Sequence, residues 1–324
     1  MLIVSPPNMR IDVHQHLWPP ELIEALRARG KAPRLVGDGD RPLLEMVHEQ
    51  DGPVDLVRHR PETRLATLDA AGIDRAVVSL SAPLGIESLP DDESAELIAA
   101  YHDGMLRLVG ESSGRLSAWA AASLTAPDCG AAVVAAALDS GFVGAMVPSE
   151  AIAGPVAMER AAPLLDLLEA RGAALFVHPG PAPGTPPYAR DGGMPMWWPN
   201  LGVYPALSIR AYFAWRALGA ERWPRLRVCF AIMGGAGPFL EERWRTFSGE
   251  ARSIDRNVFL DTASFGRLAL ECAMATFGVE QIVFGTDIPV ISGDPPERAL
   301  AAIGKAAEKA VVHTNPVTLL NPTE

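Results

Sequence analysis

Three observations make a (β/α)8 TIM-like barrel the fold class predicted by this sequence. Short apolar, β-branched runs alternate with longer segments of helical period. No GxGxxG opens the first strand–helix turn, which weighs against an open doubly wound sheet. Polar residues suited to chemistry close several apolar runs at their C-terminal ends, where barrels keep their sites. Strands are expected at 10–17, 73–81, 115–123, 142–149, 173–179, 227–234, 257–263 and 281–289, with helices between them. The clearest helical patterns lie at 92–109, 129–138, 158–171, 201–219, 238–246, 266–277 and 295–308. Eight such βα units close a barrel.

Two stretches interrupt the alternation. Residues 31–62, with Pro33, Pro42, Pro53, Pro61 and scattered charge, read as an insertion after the first βα unit. Residues 179–200 follow strand five and hold seven prolines together with Tyr188, Trp197 and Trp198. A loop of that length on the active face of a barrel is expected to line a substrate site, though it could equally be a stiff flap covering the surface.

The 324 residues would suggest two domains at about 150 residues each. Barrels run to about 250 residues or more as one unit, so residues 1–324 are expected to form a single barrel domain. With 48% hydrophobic and 21% charged residues, the composition is globular and excludes disorder and collagen. The formal charge of −11 repels phosphate backbones and anionic lipid, so neither nucleic acid nor membrane is an expected partner. Cys129, Cys229 and Cys272 are odd in number and far apart, which fits a reducing cytoplasm and small core residues. The first ten residues lack the basic and apolar regions of a signal peptide, and no run is long enough to span a bilayer.

His14 and His16 end strand one in Ile-Asp-Val-His-Gln-His. Residues two apart on a strand share a face, so both imidazoles project into the barrel mouth while Val13 faces the helices. Such a pair can share a metal ion or simply hydrogen-bond. His178 closes strand five and Asp287 closes strand eight, so three of only seven histidines occupy strand ends. Four groups from three strands would leave a metal one position for water, as a catalytic site requires.

Ile-Asp-Val-His-Gln-His-Leu-Trp-Pro, Phe-Val-His-Pro-Gly and Val-Phe-Gly-Thr-Asp-Ile-Pro resemble the signatures of the amidohydrolase-related family, which includes aminocarboxymuconate semialdehyde decarboxylase and the resorcylate-type decarboxylases. The resemblance runs from residue 11 to the tail Asn315-Pro316-Val317-Thr318-Leu319-Leu320. It implies a barrel holding one divalent metal, zinc first and manganese second, with His14, His16, His178 and Asp287 as ligands. It further implies a small-molecule carboxylate substrate and a homodimer. In many such enzymes the strand-eight aspartate also takes the proton from the metal's water, which would make Asp287 catalytic. Binuclear relatives use a carbamylated lysine on strand four; no lysine lies between Lys31 and Lys305, so a mononuclear site is favoured.

One departure stands out. The family's strand six normally ends in His-x-Gly-Gly, whereas this chain reads Ile232-Met233-Gly234-Gly235. Isoleucine cannot exchange a proton, and losing a general acid–base typically costs about 10²–10⁴ in rate. His48 and His102 read as helix residues and His313 as tail; His59, between Arg58 and Arg60, could fold over the mouth. An arginine near here often takes a substrate carboxylate in the family, so Arg58 or Arg60 is an expected anion binder, unless the run is merely solvated charge. Asp261 and Tyr188 are candidate proton helpers, and Asp261 could instead be a buried hydrogen-bond partner. Ile232, Trp197 and Trp198 would give an apolar, aromatic-holding pocket. The expected activity is a metal-dependent hydrolase or decarboxylase of a small carboxylated aromatic or unsaturated compound. A metal-dependent isomerase, cyclase or hydratase is the alternative, as is a metal-binding pseudoenzyme.

Overall fold

Eight parallel strands form at the predicted positions in the computed structural model, which describes residues 9–188, 193–249, 255–291 and 297–321. They are β1 (Ile11–His16), β2 (Arg75–Ser79), β3 (Leu116–Ala120), β4 (Gly144–Pro148), β5 (Ala174–His178), β6 (Val228–Phe230), β7 (Val258–Asp261) and β8 (Ile282–Val283). They pair in sequence order. The sheet closes where Val13 N–H donates to Phe284 O, Asp287 N–H to His14 O and His16 N–H to Ile288 O, at 2.9, 2.8 and 2.7 Å. The result is a TIM-type barrel with helices outside.

Inside, Trp119 stacks on Phe176 at 5.5 Å and anchors its indole N–H on Val13 O at 3.0 Å. These rings fill the barrel beneath the edge of His14, whose ring lies 4.9 Å from that of Phe176. Two glycines let backbone and rings approach. A Cβ on Gly144 would run into Ala174 O and the Trp119 ring, and one on Gly285 would sit 2.9 Å from His14 Cβ.

Two strands end earlier than the apolar pattern suggests. β8 stops at Val283, beyond which the chain keeps only isolated bonds to β1 through Phe284 O, the Asp287 amide and Ile288 O; within that stretch Asp287 is left-handed (φ 61°) and its carboxylate faces β1. β6 stops at Phe230, and Ile232 to Ala236 follow with five consecutive positive φ values, 47, 55, 58, 65 and 71°. A β-branched residue such as Ile232 is a genuine outlier there.

The insertion carries structure that periodicity did not reveal. Arg34–Val36, Leu43–Glu45 and Gly52–Pro53 form a small antiparallel sheet, flanked by helices Pro20–Ala28 and Pro61–Ala70. Strands of two or three residues are too short to show an alternation. The buried Arg64 ties this region to the barrel, donating to Gln15 Oε1 and His16 O at 2.8 Å each. Helix 201–219 is a central Tyr204–Ala214 with wider turns at both ends. The pattern at 295–308 begins outside the described residues and continues as Glu297–Ala302 and Lys305–Lys309, with Gly304 at φ 93° between them.

His48 is in the insertion, not a helix, and its ring stacks over Tyr188. Cys129 is exposed on the first turn of helix Pro127–Asp139, so only Cys229 is a fully buried core cysteine. The tail behaves as read: Asn315 donates from Nδ2 to Val279 O and Ile282 O, both at 2.7 Å, pinning the last helix to β8. Met1 to Asn8 lie outside the described residues, and among the described ones no helix is long and apolar enough to cross a membrane.

Because the Ala174 carbonyl belongs to a paired strand and cannot yield, Gly144→Ala should lower the free energy of unfolding by about 1–3 kcal/mol. Urea titration of the variant against the parent chain measures it.

Candidate metal centre

β1, β5 and the turn after β8 deliver His14, His16, His178 and Asp287 to one point, their ligand atoms all within 4.8 Å of one another. All four side chains are buried. His14 Nε2 lies 3.3 Å from His16 Nε2, and Asp287 Oδ1 lies 3.0 Å from His16 Nε2 and 3.4 Å from His14 Nε2.

The opposite nitrogen of each ring explains why this convergence needs a cation. His14 Nδ1 faces Asp261 Oδ2 at 2.6 Å, His178 Nδ1 faces Pro179 O at 2.9 Å, and His16 Nδ1 faces Ser79 Oγ at 3.1 Å and Ser79 O at 3.4 Å. Carboxylates and carbonyls only accept, so the Nδ1 atoms donate and the Nε2 lone pairs point at one another. Three lone pairs and a carboxylate oxygen repel unless a positive charge sits among them. Asp287 Oδ1 has no well-formed hydrogen bond to relieve this. The set fits a divalent ion held by neutral imidazoles whose backs are pinned by protein oxygens.

Without an ion, a proton does part of that work. Burial opposes a charge on His14, but Asp261 and Asp287 outweigh it and push its pKa up to about 10. Burial pulls His16 down, and burial with the neighbouring His16 and His14 holds His178 well below the imidazole range. Burial raises Asp287, yet His14 and His16 overcome it and keep the carboxyl below its usual range.

Asp261 is fully committed. Oδ2 takes the His14 proton, and Oδ1 accepts from the amides of Ile232 (2.9 Å) and Ala263 (3.1 Å). This is the buried-partner reading, and it links the turn after β6 to the histidine on β1. Asp12 acts similarly between β1 and β8, accepting from Thr286 Oγ1 at 2.6 Å and Gln15 Nε2 at 2.7 Å. Burial still pushes Asp12 up to about 6.

The cluster opens into a cavity of about 640 Å³. Arg58, His59, Ile232, Trp18, Leu44, Met46, Glu49 and Tyr204 line it with His16, His178 and Asp287. Arg60 does not: it grips Asp40 on the surface at 2.8 Å. Tyr188 reaches the cavity wall indirectly, through Glu49 at 3.4 Å. Trp197 is exposed, and Trp198 lines a smaller neighbouring hollow with Met194 and Met196. The stretch 189–192 of this flap lies outside the described residues.

His59 stacks on the Trp18 indole at 4.5 Å, and the Trp18 amide donates to its Nδ1 at 3.1 Å. That bond fixes the proton on Nε2. Burial, then the charges of Arg64 and His16, lower its pKa to about 3, so it is a neutral N–H donor rather than a base. Glu49 and Tyr204 escaped sequence reading altogether. Nothing in their local pattern marks them, because the fold alone brings the insertion against the helix after the flap.

A family model described as amidohydrolase matches residues 11–321. The chain is 24% identical over 252 residues to a gamma-resorcylate decarboxylase of Rhizobium radiobacter, covering 70% of this chain and 76% of that one. Among solved structures, the apo form of Metarhizium anisopliae IDCase superposes with a TM-score of 0.79 at 22% identity, covering 99% and 98% of the two chains. The 5-carboxyvanillate decarboxylase of Novosphingobium aromaticivorans, complexed with manganese and 4-hydroxy-3-methoxy-5-nitrobenzoic acid, superposes at 0.69 and 17% identity, covering 96% of each chain. At these identities the structural likeness speaks for the fold.

Metal affinity should rise with pH, because the ion must displace the His14 proton held up to about pH 10. Metal titration in a lightly buffered solution should therefore release about one proton per chain, read by a pH indicator. Asp261→Asn, which keeps the size but cannot hold that proton relation, should weaken metal binding about 10–100-fold in chelator competition.

Proposed function

The chain belongs to the amidohydrolase family, and on that premise we propose that it is a metal-dependent carboxy-lyase acting on a small hydroxylated aromatic acid. In this reading residues 1–324 work as one barrel domain. His14, His16, His178 and Asp287 hold one divalent ion, zinc being our assignment. The observation that carries the reading is the convergence of three back-pinned imidazoles and Asp287 at the floor of a mostly apolar cavity.

The bound ion would supply Lewis acidity toward substrate oxygens. The chain's own residues do the rest. Arg58, on the cavity wall, offers its guanidinium fork to a carboxylate entering from solvent. His59 Nε2–H donates to a substrate oxygen without ever taking up a proton near neutral pH. Trp18, Leu44, Met46 and Ile232 exclude water around the ring. As the bond between ring and carboxylate breaks, its electron pair stays with the ring carbon, carbon dioxide leaves, and the carbon takes a proton. Asp287 borders both cluster and cavity, and we assign it the relay that passes the substrate's ortho-hydroxyl proton to that carbon.

Lyase chemistry is favoured over hydrolysis because, with Asp287 assigned to the substrate's proton, the histidine position beside the cluster offers no second base for water. Asp261 is engaged by three donors, His59 stays neutral, and position 232 is isoleucine. Decarboxylation needs no separate base for water. It also gains from an apolar surrounding, since charge leaves the carboxylate.

The test is carbon dioxide release from 2-hydroxybenzoates by zinc- or manganese-loaded protein. Turnover should vanish with Asp287→Asn or chelation, and Arg58→Met should raise KM about tenfold or more with a smaller change in kcat. Hydrolysis of aryl esters or lactones without any carbon dioxide release would sink the lyase reading.

A further inference from the structure

The cavity has two chemically different walls. The strand ends contribute His16, His178, Ile232 and Asp287; the insertion and the helix after the flap contribute Leu44, Met46, Val54, Tyr204 and two carboxyl groups, Glu49 and Asp55, of which Asp55 already accepts from the Val57 amide at 3.1 Å. Glu49 is only 9% exposed. Its Oε1 accepts from Tyr204 Oη at 2.6 Å and from Tyr188 Oη at 3.4 Å. Among the described residues no donor bonds Oε2 and no cation pairs with the group, yet Oε2 is not sealed in the interior.

We infer that Glu49 is a specificity-determining residue whose Oε2 accepts a hydrogen bond from a hydroxyl group on the substrate ring, remote from the carboxylate. This rests on the reading of the cavity as an aromatic-acid site. The two phenols hold the carboxyl in place, so little freedom is lost when a ligand meets it. Burial pushes the group up to about 7 even though both tyrosines pull it down, which marks a carboxylate short of donors. Glu49 borders the main cavity and the smaller hollow beside Trp198, and of the two only the main cavity, about 640 Å³ against about 60 Å³, has room for an aromatic acid that brings a further donor. An ammonium group is disfavoured because it would share the cavity with Arg58 and the metal centre. A hydroxyl supplies the donor without the charge.

The experiment compares ligands that differ in that donor alone, on metal-loaded protein, by calorimetry. 2,4-Dihydroxybenzoate is set against 2-hydroxy-4-methoxybenzoate, and 2,5-dihydroxybenzoate against 2-hydroxy-5-methoxybenzoate. In at least one pair the hydroxy compound should bind about tenfold or more tightly than its methoxy partner. Glu49→Gln keeps an Oε1 acceptor for the tyrosines but presents an amide donor, so the preference within the pair should shrink or reverse, with the methoxy compounds and plain 2-hydroxybenzoate as references for any general change in affinity. Equal binding within both pairs overturns the assignment. So does a preference that survives in Glu49→Gln, or an equal loss of affinity for the hydroxy, methoxy and plain compounds in that variant, which would make Glu49 a clamp between insertion and flap. Carbon dioxide release is scored separately: a preference without turnover sinks the carboxy-lyase reading and leaves Glu49 standing.

Discussion

Mutual repulsion among four acceptors at the floor of the barrel is the constraint around which the rest is arranged. His14, His16, His178 and Asp287 bring lone pairs to within a few ångströms, and without an ion only the proton on His14 eases their repulsion. The arrangement persists because each imidazole is held from behind by an oxygen that can only or readily accept: Asp261, Pro179 and Ser79. Asp261 extends the hold, since its second oxygen fixes the amides of Ile232 and Ala263. Strands one, six and seven thus share one carboxylate.

The barrel itself is shaped by that demand. Gly285 lets the last strand pass close to His14, and Asp287 turns left-handed so that its carboxylate faces β1 while its amide still closes the sheet on His14 O. Regular pairing is given up at this point, and Asp12 with Thr286 repairs the seam. Strain of the same kind sits at Ile232, where a β-branched residue holds a positive φ. Such strain costs about 1–3 kcal/mol and persists only when the surroundings over-determine it; here the bond from the Ile232 amide to Asp261 does so.

The cavity above the cluster is made by parts that do not belong to the repeating barrel. The insertion brings Arg58, His59 and Glu49, and the flap and its following helix bring Tyr188 and Tyr204. His59 is turned into a permanent donor by one backbone amide, that of Trp18, two residues past the metal-facing His16. The floor is common to many chemistries, and the wall is where this chain chooses among ligands.

The eight strands, their order and the four residues that converge at the barrel floor were readable from local pattern. Alternating periods are a local property, and polar residues ending apolar runs are visible wherever they fall. The four cluster residues were legible for that reason, and Asn315 through the resemblance of the tail to a family motif. Strand lengths at β6 and β8 were not, because the left-handed turn at Ile232 and the isolated bonds of 284–288 to β1 depend on partners far along the chain. Only the tertiary structure decided which of Arg58 and Arg60 faces the cavity, set Trp197 and Trp198 outside its lining, committed Asp261 to His14, and brought Glu49 against two tyrosines 139 and 155 residues away. Those contacts join segments with no periodic signal of their own, and a side chain's role there is set by whatever the fold places opposite it.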